Sequence, residues 1–435
     1  MLSKTFCSSP WFHIRLQNDG QFTECRWGLR NKDNPHIHDT SIMQFYNGSQ
    51  MKKLRTELLS GKSPELCSVC AYQDRFGKLN GRQKQLLKSG IRSDHFDQSM
   101  RSSPHYPHFQ YSNDQLGDSS YYPVDLQIDL GNLCNSACIM CTPFFSSRLQ
   151  TDYHKLHRIN PELFSDPVKY TSWSQDPVLV ERFVQELSAI PNIRYIHFMS
   201  GETFYDESFY TICKRLIDLG LSSDIIVGTT TNGTLYDERI EQLIGSFKEF
   251  HLGISIESVT PLNDYIRYPS SVDVVLNNIQ KFLDLRSRTG LNVALRITPN
   301  IFTVNYLDSL FEYIIKHNIP TESSDILTKP DCLRMELIPD DIRSDIIARL
   351  ASLVDRHQLK KTHQTNTRNT NVVPEITANL IIDYLSFLQT YPTPPDLIES
   401  RQRLVPFLKS FELLRNNKIL DYAPEYTDFL RSFGY

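Results

Sequence analysis

The chain has 435 residues, 40% of them hydrophobic, with 46 basic and 50 acidic side chains and a formal net charge of −4. That length accommodates two or three domains with substantial cores, the apolar content excludes a disordered chain, and the near-balanced charge gives no pointer to nucleic acid as a whole-chain partner. No apolar run approaches the ~20 residues of a membrane span, no internal repeat or long low-complexity tract is visible, and Met1-Leu2-Ser3-Lys4-Thr5-Phe6-Cys7 lacks the apolar stretch of a secretion signal.

A cytoplasmic setting follows as the expectation. Thiols stay reduced there, so nine cysteines favour metal binding over disulfides. Four of them, Cys7, Cys25, Cys67 and Cys70, fall in a first module, residues 1–92. Phe12-His13-Ile14-Arg15-Leu16 alternates and then meets Asn18-Asp19-Gly20, a hairpin signal. The second strand carries Cys25 back toward Cys7. Met51 to Leu59 reads as a short helix that delivers the pair Cys67-Ser68-Val69-Cys70. Four cysteines on a hairpin and a helix end suit one site of four thiolates, for zinc or for an iron–sulfur cluster. A thioredoxin-like redox pair is disfavoured, because no βαβ pattern surrounds the pair. Arg75, Lys78, Arg82, Lys84, Lys88 and Arg92 make residues 74–92 basic; they read as a solvated helix face, with RNA or an acidic peptide as the sharper alternative. Residues 93–120, rich in Ser, Asp, His, Pro and Tyr, read as a linker.

From Val124 short apolar runs alternate with amphipathic segments. Strands are expected over Val124–Leu130, Ile193–Ser200, Ile225–Thr231, Glu249–Glu257, Asn292–Thr298 and Leu333–Leu337. Helices are expected over Val178–Ile190, Glu207–Leu219, Asp237–Ser246, Val272–Arg288 and Tyr306–His317. The predicted fold class is α/β, a partial (β/α)6 TIM-like barrel over residues 121–338 with its chemistry at the C-terminal strand ends. The N-terminal cysteine-rich module precedes it, and a helical extension, 339–435, follows.

The first strand leads into Cys134-Asn135-Ser136-Ala137-Cys138-Ile139-Met140-Cys141. Three thiolates are one too few for a closed tetrahedral site, whereas a [4Fe–4S] cluster held by three cysteines keeps one iron open to a small molecule. Structural zinc and inert thiols are the competing readings. The second strand ends in Ser200-Gly201-Glu202-Thr203, where glycine permits close approach and the carboxylate can accept from a ligand ammonium. Thr230-Thr231-Asn232-Gly233-Thr234 reads as a structural turn. Ser255 and Glu257, two apart, share one strand face and suit a ribose diol. Arg267 suits a carboxylate or is a plain surface arginine. Arg296, within an apolar run, either meets a carboxylate or is paired structurally. Cys213 and Cys332 read as buried small hydrophobes. In the extension, helices are expected over 339–357, Leu380–Leu388 and Leu404–Arg415, with a polar loop over 358–376. The tail would close the open side of the barrel or cover substrate.

The central cysteine loop resembles the radical SAM signature, CxxxCxxC after the first strand of a partial barrel. Leu133-Cys134-Asn135 and Thr142-Pro143-Phe144-Phe145-Ser146-Ser147 extend the match, and Met140 stands where the family usually has an aromatic residue. The resemblance implies that S-adenosylmethionine chelates the open iron. An electron from the cluster would cleave it to methionine and a 5′-deoxyadenosyl radical that abstracts a substrate hydrogen. Ser200-Gly201-Glu202 is similar to the family's Gly-Gly-Glu, which grips the methionine amino group. Ser255 and Glu257 are similar to its Ser-x-Asp, Thr231-Asn232-Gly233 to its Thr-Asn-Gly turn, and Arg296 would meet the methionine carboxylate.

Phe6-Cys7-Ser8-Ser9-Pro10-Trp11-Phe12-His13, Asn18-Asp19-Gly20 and Cys25 resemble the cysteine module of twitch or SPASM radical SAM proteins, as do Ser41 to Asn47 and Met51 to Arg55. That module usually follows the barrel; here it precedes it. Met335 to Pro339 and Leu414 to Glu425 also look like poorly characterised twitch proteins. An auxiliary iron–sulfur cluster, [4Fe–4S] in type, on Cys7, Cys25, Cys67 and Cys70 is implied, together with an electron donor such as flavodoxin or ferredoxin. The implied substrate is a peptide or protein side chain; a carbohydrate, nucleoside or other small metabolite is the second reading. A zinc-binding RNA-interaction protein is the non-enzymatic one. No catalytic acid is assigned.

Overall fold

Runs such as Tyr195-Ile196-His197-Phe198-Met199 and Leu291 to Arg296 carry the β-branched and aromatic content of strands and are short enough to be one sheet deep. A computed structural model of the chain describes residues 5–28, 30–74, 80–92, 95–168, 171–322, 326–361 and 373–435. It places eight strands in one sheet. They are β1 (His13–Leu16), β2 (Phe22–Thr23), β3 (Asp125–Asp129), β4 (Tyr195–Met199), β5 (Ile226–Thr231), β6 (Glu249–Ser255), β7 (Leu291–Arg296) and β8 (Thr321–Glu322). The order is β2-β1-β3-β4-β5-β6-β7-β8, parallel throughout except for the β1–β2 hairpin.

The six strands β3–β8 form the expected (β/α) wall. The intervening helices Pro177–Ser188, Glu207–Asp218, Glu238–Ile244, Val272–Arg286 and Leu307–Lys316 fall where periodicity places them. The hairpin adds to it: β1 pairs in parallel with β3, His13 opposite Asp125, so the N-terminal module continues the barrel sheet. Its turn needs Gly20, which has φ +87°.

Two expectations are corrected. Leu333–Leu337 is two 3-10 turns, Asp331–Leu333 and Met335–Leu337, and the sixth wall strand is Thr321–Glu322. Leu333, Met335 and Leu337 are all fully buried. Their alternation is therefore real, but it comes from an extended link at Arg334 that pairs with no strand, and two residues of β8 are too few to show a period. Residues 93–120, expected as a linker, contain the helices Phe96–Ser102 and Tyr106–Asp114. Their polar composition hides three anchors. Phe109 meets Phe6 and Trp11 edge-on, Phe96 meets Phe6, and Met100 completes a second small core.

In the extension, helix Asp340–Arg356 forms as expected, whereas Val373–Thr390 and Leu397–Arg415 each begin seven residues before the expected helix, the former inside the stretch expected as a polar loop. Residues 362–372 of the expected polar loop, and Arg75 and Lys78 of the basic stretch, lie outside the described residues. In the rest of that stretch Arg82 pairs with Asp74 and Lys88 with Asp125. Among the described residues no helix is long and apolar enough to cross a membrane.

The sheet has two chemically distinct faces, because alternate residues point to opposite sides. Leu126, Ile128, Ile196, Phe198, Val227, Leu252, Ile254, Val293 and Leu295 share the apolar face and are buried. Phe198 packs edge-on against Phe209 of the helix Glu207–Asp218, so this face meets the helices; each such side chain contributes about 1.5–3 kcal/mol. The other face is polar: His13 and Arg15 on β1, Asp125, Gln127 and Asp129 on β3, His197 on β4, Arg296 on β7, Glu322 on β8. Arg15 binds Asp129 through Nε and Nη2 at 2.8 and 2.5 Å, and Gln127 donates to the same carboxylate at 2.8 Å. Barrel interiors are usually apolar, so a polar face of this kind is unusual for the fold.

Candidate functional site

The central cysteine loop leaves the end of β3 and is held by contacts from several elements. Glu202 N donates to Leu133 O at 2.8 Å. Asn232 Nδ2 donates to Asn135 Oδ1 and Ser136 Oγ at 2.7 and 3.0 Å. Ala137 N and Ile139 N donate to Tyr268 O and Ile266 O at 2.6 and 2.9 Å. Ser146 Oγ, which caps the helix Ser147–Ile159, donates to Ser136 O at 2.6 Å. Ala137 and Ile139, which lie between the three cysteines in the sequence, are buried.

Burial first, then Cys138 and Glu202, pushes the Cys134 thiol far up; burial and then Cys138 push Cys141 up to about 12. The three thiols thus lie within mutual electrostatic reach, and bare thiolates there are disfavoured until a cation joins them. The donor set fits an iron–sulfur group: Ser136 N donates to Cys134 Sγ at 3.4 Å, an N–H···S contact of the kind that tunes such clusters. Among the described residues no three Cys, His, Asp or Glu side chains are gathered around a point for a single ion. A four-iron cluster is broader than one ion and takes thiolates that stand further apart.

Gly201 shows how tightly the loop is seated. A Cβ there would lie 2.6 Å from both Asn132 O and Leu133 O and 2.7 Å from Cys134 Cβ. Backbone cannot yield as a flexible side chain can, so Gly201→Ala is expected to displace the loop. Reconstituted iron content should fall while the circular dichroism of the helices persists; unchanged iron would show that the seat is not required.

Glu202, nearly fully buried, accepts from Phe204 N (3.2 Å) and Thr231 Oγ1 (2.7 Å) on Oε1 and from Asn232 N (2.6 Å) on Oε2. Burial raises its pKa and these donors oppose the rise. A carboxylate offers about four acceptor positions, so one on Oε2 remains. Ser200 donates to Asp206 at 3.1 Å and Thr203 to Thr230 O at 3.3 Å, both bracing the same strand end. Glu257 is fully buried and held by both Nε and Nη2 of Arg267. Arg267 Nη1 stands 4.0 Å from Cys138 Sγ. The carboxylate that Arg267 takes is therefore the chain's own. Arg296, over Gly253, pairs likewise with Glu322 at 2.5 Å. Ser255 is half-buried at the end of β6, on the polar face with Arg296 opposite.

The N-terminal four also converge. Burial, then Cys25, Cys67 and Cys70 raise the Cys7 thiol, and Cys67 is pushed to about 12 by burial and then Cys25 and Cys70. Backbone N–H groups donate to three of the thiols: Ser9 to Cys7, Trp27 to Cys25, and Arg82 and Gly81, in the first turn of Gly81–Lys88, to Cys70. Such donors favour thiolates. Cys213 and Cys332 lie in the main hydrophobic core. Two holders of the central loop went unread in the sequence: Asn232, visible only as a turn residue, and Arg415, whose Nη2 donates to Ala137 O at 2.5 Å from 278 positions away.

Residues 128–302 match the family model described as the Radical SAM superfamily, a span that begins in β3, contains the cysteine loop and ends just beyond β7. The chain carries a radical SAM domain. This is the domain of enzymes that use S-adenosylmethionine, and it implies a [4Fe–4S] cluster. Among solved structures, native anSMEcpe with bound AdoMet is 15% identical, covers 55% of this chain and 62% of that chain, and has a TM-score of 0.39. Streptococcus suis SuiB bound to S-adenosylmethionine is 12% identical over 85% of this chain and 74% of that one, TM-score 0.38. SuiB bound to precursor peptide SuiA is 12% identical over 81% and 70%, TM-score 0.38. The chain spans about 62% of the length of anSMEcpe. No curated protein matches it in sequence.

Proposed function

We propose that the protein is a radical enzyme that cleaves S-adenosylmethionine at a [4Fe–4S] cluster on Cys134, Cys138 and Cys141 and modifies a peptide or protein side chain by hydrogen abstraction. The observation that carries this reading is the loop of three thiols at the end of β3, inside the radical SAM domain. When bound, a cluster with an open iron supplies the electron that splits S-adenosylmethionine into methionine and a 5′-deoxyadenosyl radical.

The chain's own residues bind and orient. Glu202 Oε2 offers its remaining acceptor position to the methionine ammonium, beside Cys134. Ser255 offers a hydroxyl to the ribose. The Arg267–Glu257 pair is buried beside Cys138, with Arg267 Nη1 4.0 Å from its Sγ. The polar sheet face receives substrate. An auxiliary cluster on Cys7, Cys25, Cys67 and Cys70 and a flavodoxin- or ferredoxin-type donor complete the proposal. The peptide class rests on the likeness of residues 6–70 to twitch and SPASM modules.

The test is anaerobic reconstitution followed by dithionite and S-adenosylmethionine. 5′-Deoxyadenosine is expected; its absence from protein that holds iron and sulfide at the central cysteines overturns the reading. Glu202→Ala is expected to weaken S-adenosylmethionine binding by about 1.5–3 kcal/mol, the scale of a charge-assisted hydrogen bond. Calorimetry on variant with an intact cluster checks this, and unchanged affinity counts against the site.

A further inference from the structure

The tip of the C-terminal extension reaches the central cysteine loop. Arg415 ends the long helix Leu397–Arg415 and is 2% exposed at its side chain. Its Nη2 donates to Ala137 O at 2.5 Å, the carbonyl joined to the amide of Cys138, and to Asp152 Oδ2 at 3.1 Å on the helix that follows the loop. Its guanidinium lies over the rings of Phe411 and Tyr268, 4.4 and 4.7 Å from their centroids. Nε and Nη1 are buried and have no hydrogen-bond partner among the described residues. A buried cation with two unsatisfied donors is costly to keep, and native structures hold few such groups. Arg267 also stands near the loop, its Nη1 4.0 Å from Cys138 Sγ, but its charge is matched by bidentate contact with Glu257. Arg415 has a single-oxygen contact with Asp152, so its charge is less closely matched than that of Arg267.

We infer that Arg415 is a positioning residue that pins the cluster loop and raises the reduction potential of a cluster bound there, so that the C-terminal helix sets how readily the site accepts its electron. This rests on the proposed function, since it presumes a cluster on Cys134, Cys138 and Cys141. The physical reason is one of sign. Reduction adds one negative charge, and a cation held in a low-dielectric setting stabilises the reduced state. Asp152 opposes it. Removing the cation and removing its counter-ion must therefore shift the potential in opposite directions, whereas a purely mechanical clamp has no such sign.

The test uses the full chain, reconstituted anaerobically and titrated by electron paramagnetic resonance. The central cluster is identified as the reduced signal that changes when S-adenosylmethionine is added. Arg415→Gln should lower the ratio of reduced to oxidised cluster at fixed solution potential about tenfold, a midpoint about 59 mV more negative for one electron. Asp152→Asn should raise that ratio. Equal midpoints in wild type and both variants, or shifts of the same sign, overturn the inference. If Arg415→Gln retains no cluster, Asp152→Asn decides alone: a raised midpoint supports the inference and an unchanged one overturns it. A wild-type protein with iron but no signal that responds to S-adenosylmethionine sinks the proposed function instead, before any variant is compared.

Discussion

Replacing Cys134, Cys138 and Cys141 together by alanine is expected to halve the iron of anaerobically reconstituted protein, from about eight atoms per chain to about four, and to abolish formation of 5′-deoxyadenosine. The two cysteine groups are separate in the structure as in the sequence. The thiols that act on Cys134 are Cys138 and Cys141, and those that act on Cys7 are Cys25, Cys67 and Cys70. The thiols that act most strongly on each group belong to that group, so each should load independently. The loop itself should survive the substitution. Its Ala137 and Ile139 are buried, and its tethers run through backbone and through Asn232 and Ser146. A variant that keeps all its iron shows that the ligands are wrongly partitioned between the two sites. One that loses all of it shows that the second site depends on the first.

Why these features divide into legible and illegible is a matter of range. The wall strands β3–β7 and their helices could be read because hydrophobic periodicity is local and each element is long enough to show it. The three-cysteine loop could be read because metal-ligand spacing compresses its signal into eight residues. What failed was non-local. Leu333, Met335 and Leu337 alternate like a strand yet have no neighbour to pair with, and β8 became a strand only because β7 offers it an edge. Glu257 and Arg267 each looked like a ligand for a small molecule, and each is occupied by the other, ten residues apart across a helix of five. Arg296 and Glu322 repeat that lesson between adjacent strands. The polar sheet face was hidden because period-two polarity in His13, Arg15, Asp125, Gln127 and Asp129 looks the same whether the polar side meets solvent or a ligand. Arg415 gave no signal at all, since a cation in the last turn of a helix is ordinary in sequence.

Changing Cys67 and Cys70 to alanine is expected to abolish turnover on the true substrate while leaving uncoupled cleavage of S-adenosylmethionine in place. The N-terminal group offers four thiolates, enough to fill every iron of a cluster, so a cluster proposed there would have no open position for a cofactor, which leaves it electron transfer and structure as roles. The module should remain folded without the pair. Its core is Phe6, Trp11, Leu54, Leu58, Met100 and Phe109, and its hairpin is locked to β3 by strand pairing. The central loop should be undisturbed as well, because its tethers come from Glu202, Asn232, Tyr268 and Arg415. The N-terminal module touches its far flank, where Asn18 Nδ2 donates to Phe144 O at 2.9 Å. The measurement is 5′-deoxyadenosine under dithionite, after circular dichroism and an iron count near half of wild type have shown that the variant is folded and keeps its central cluster. Deoxyadenosine that persists supports the assignment. Its loss from such a protein means that the four-thiol site takes part in cleavage itself, and that the roles of the two sites are assigned wrongly.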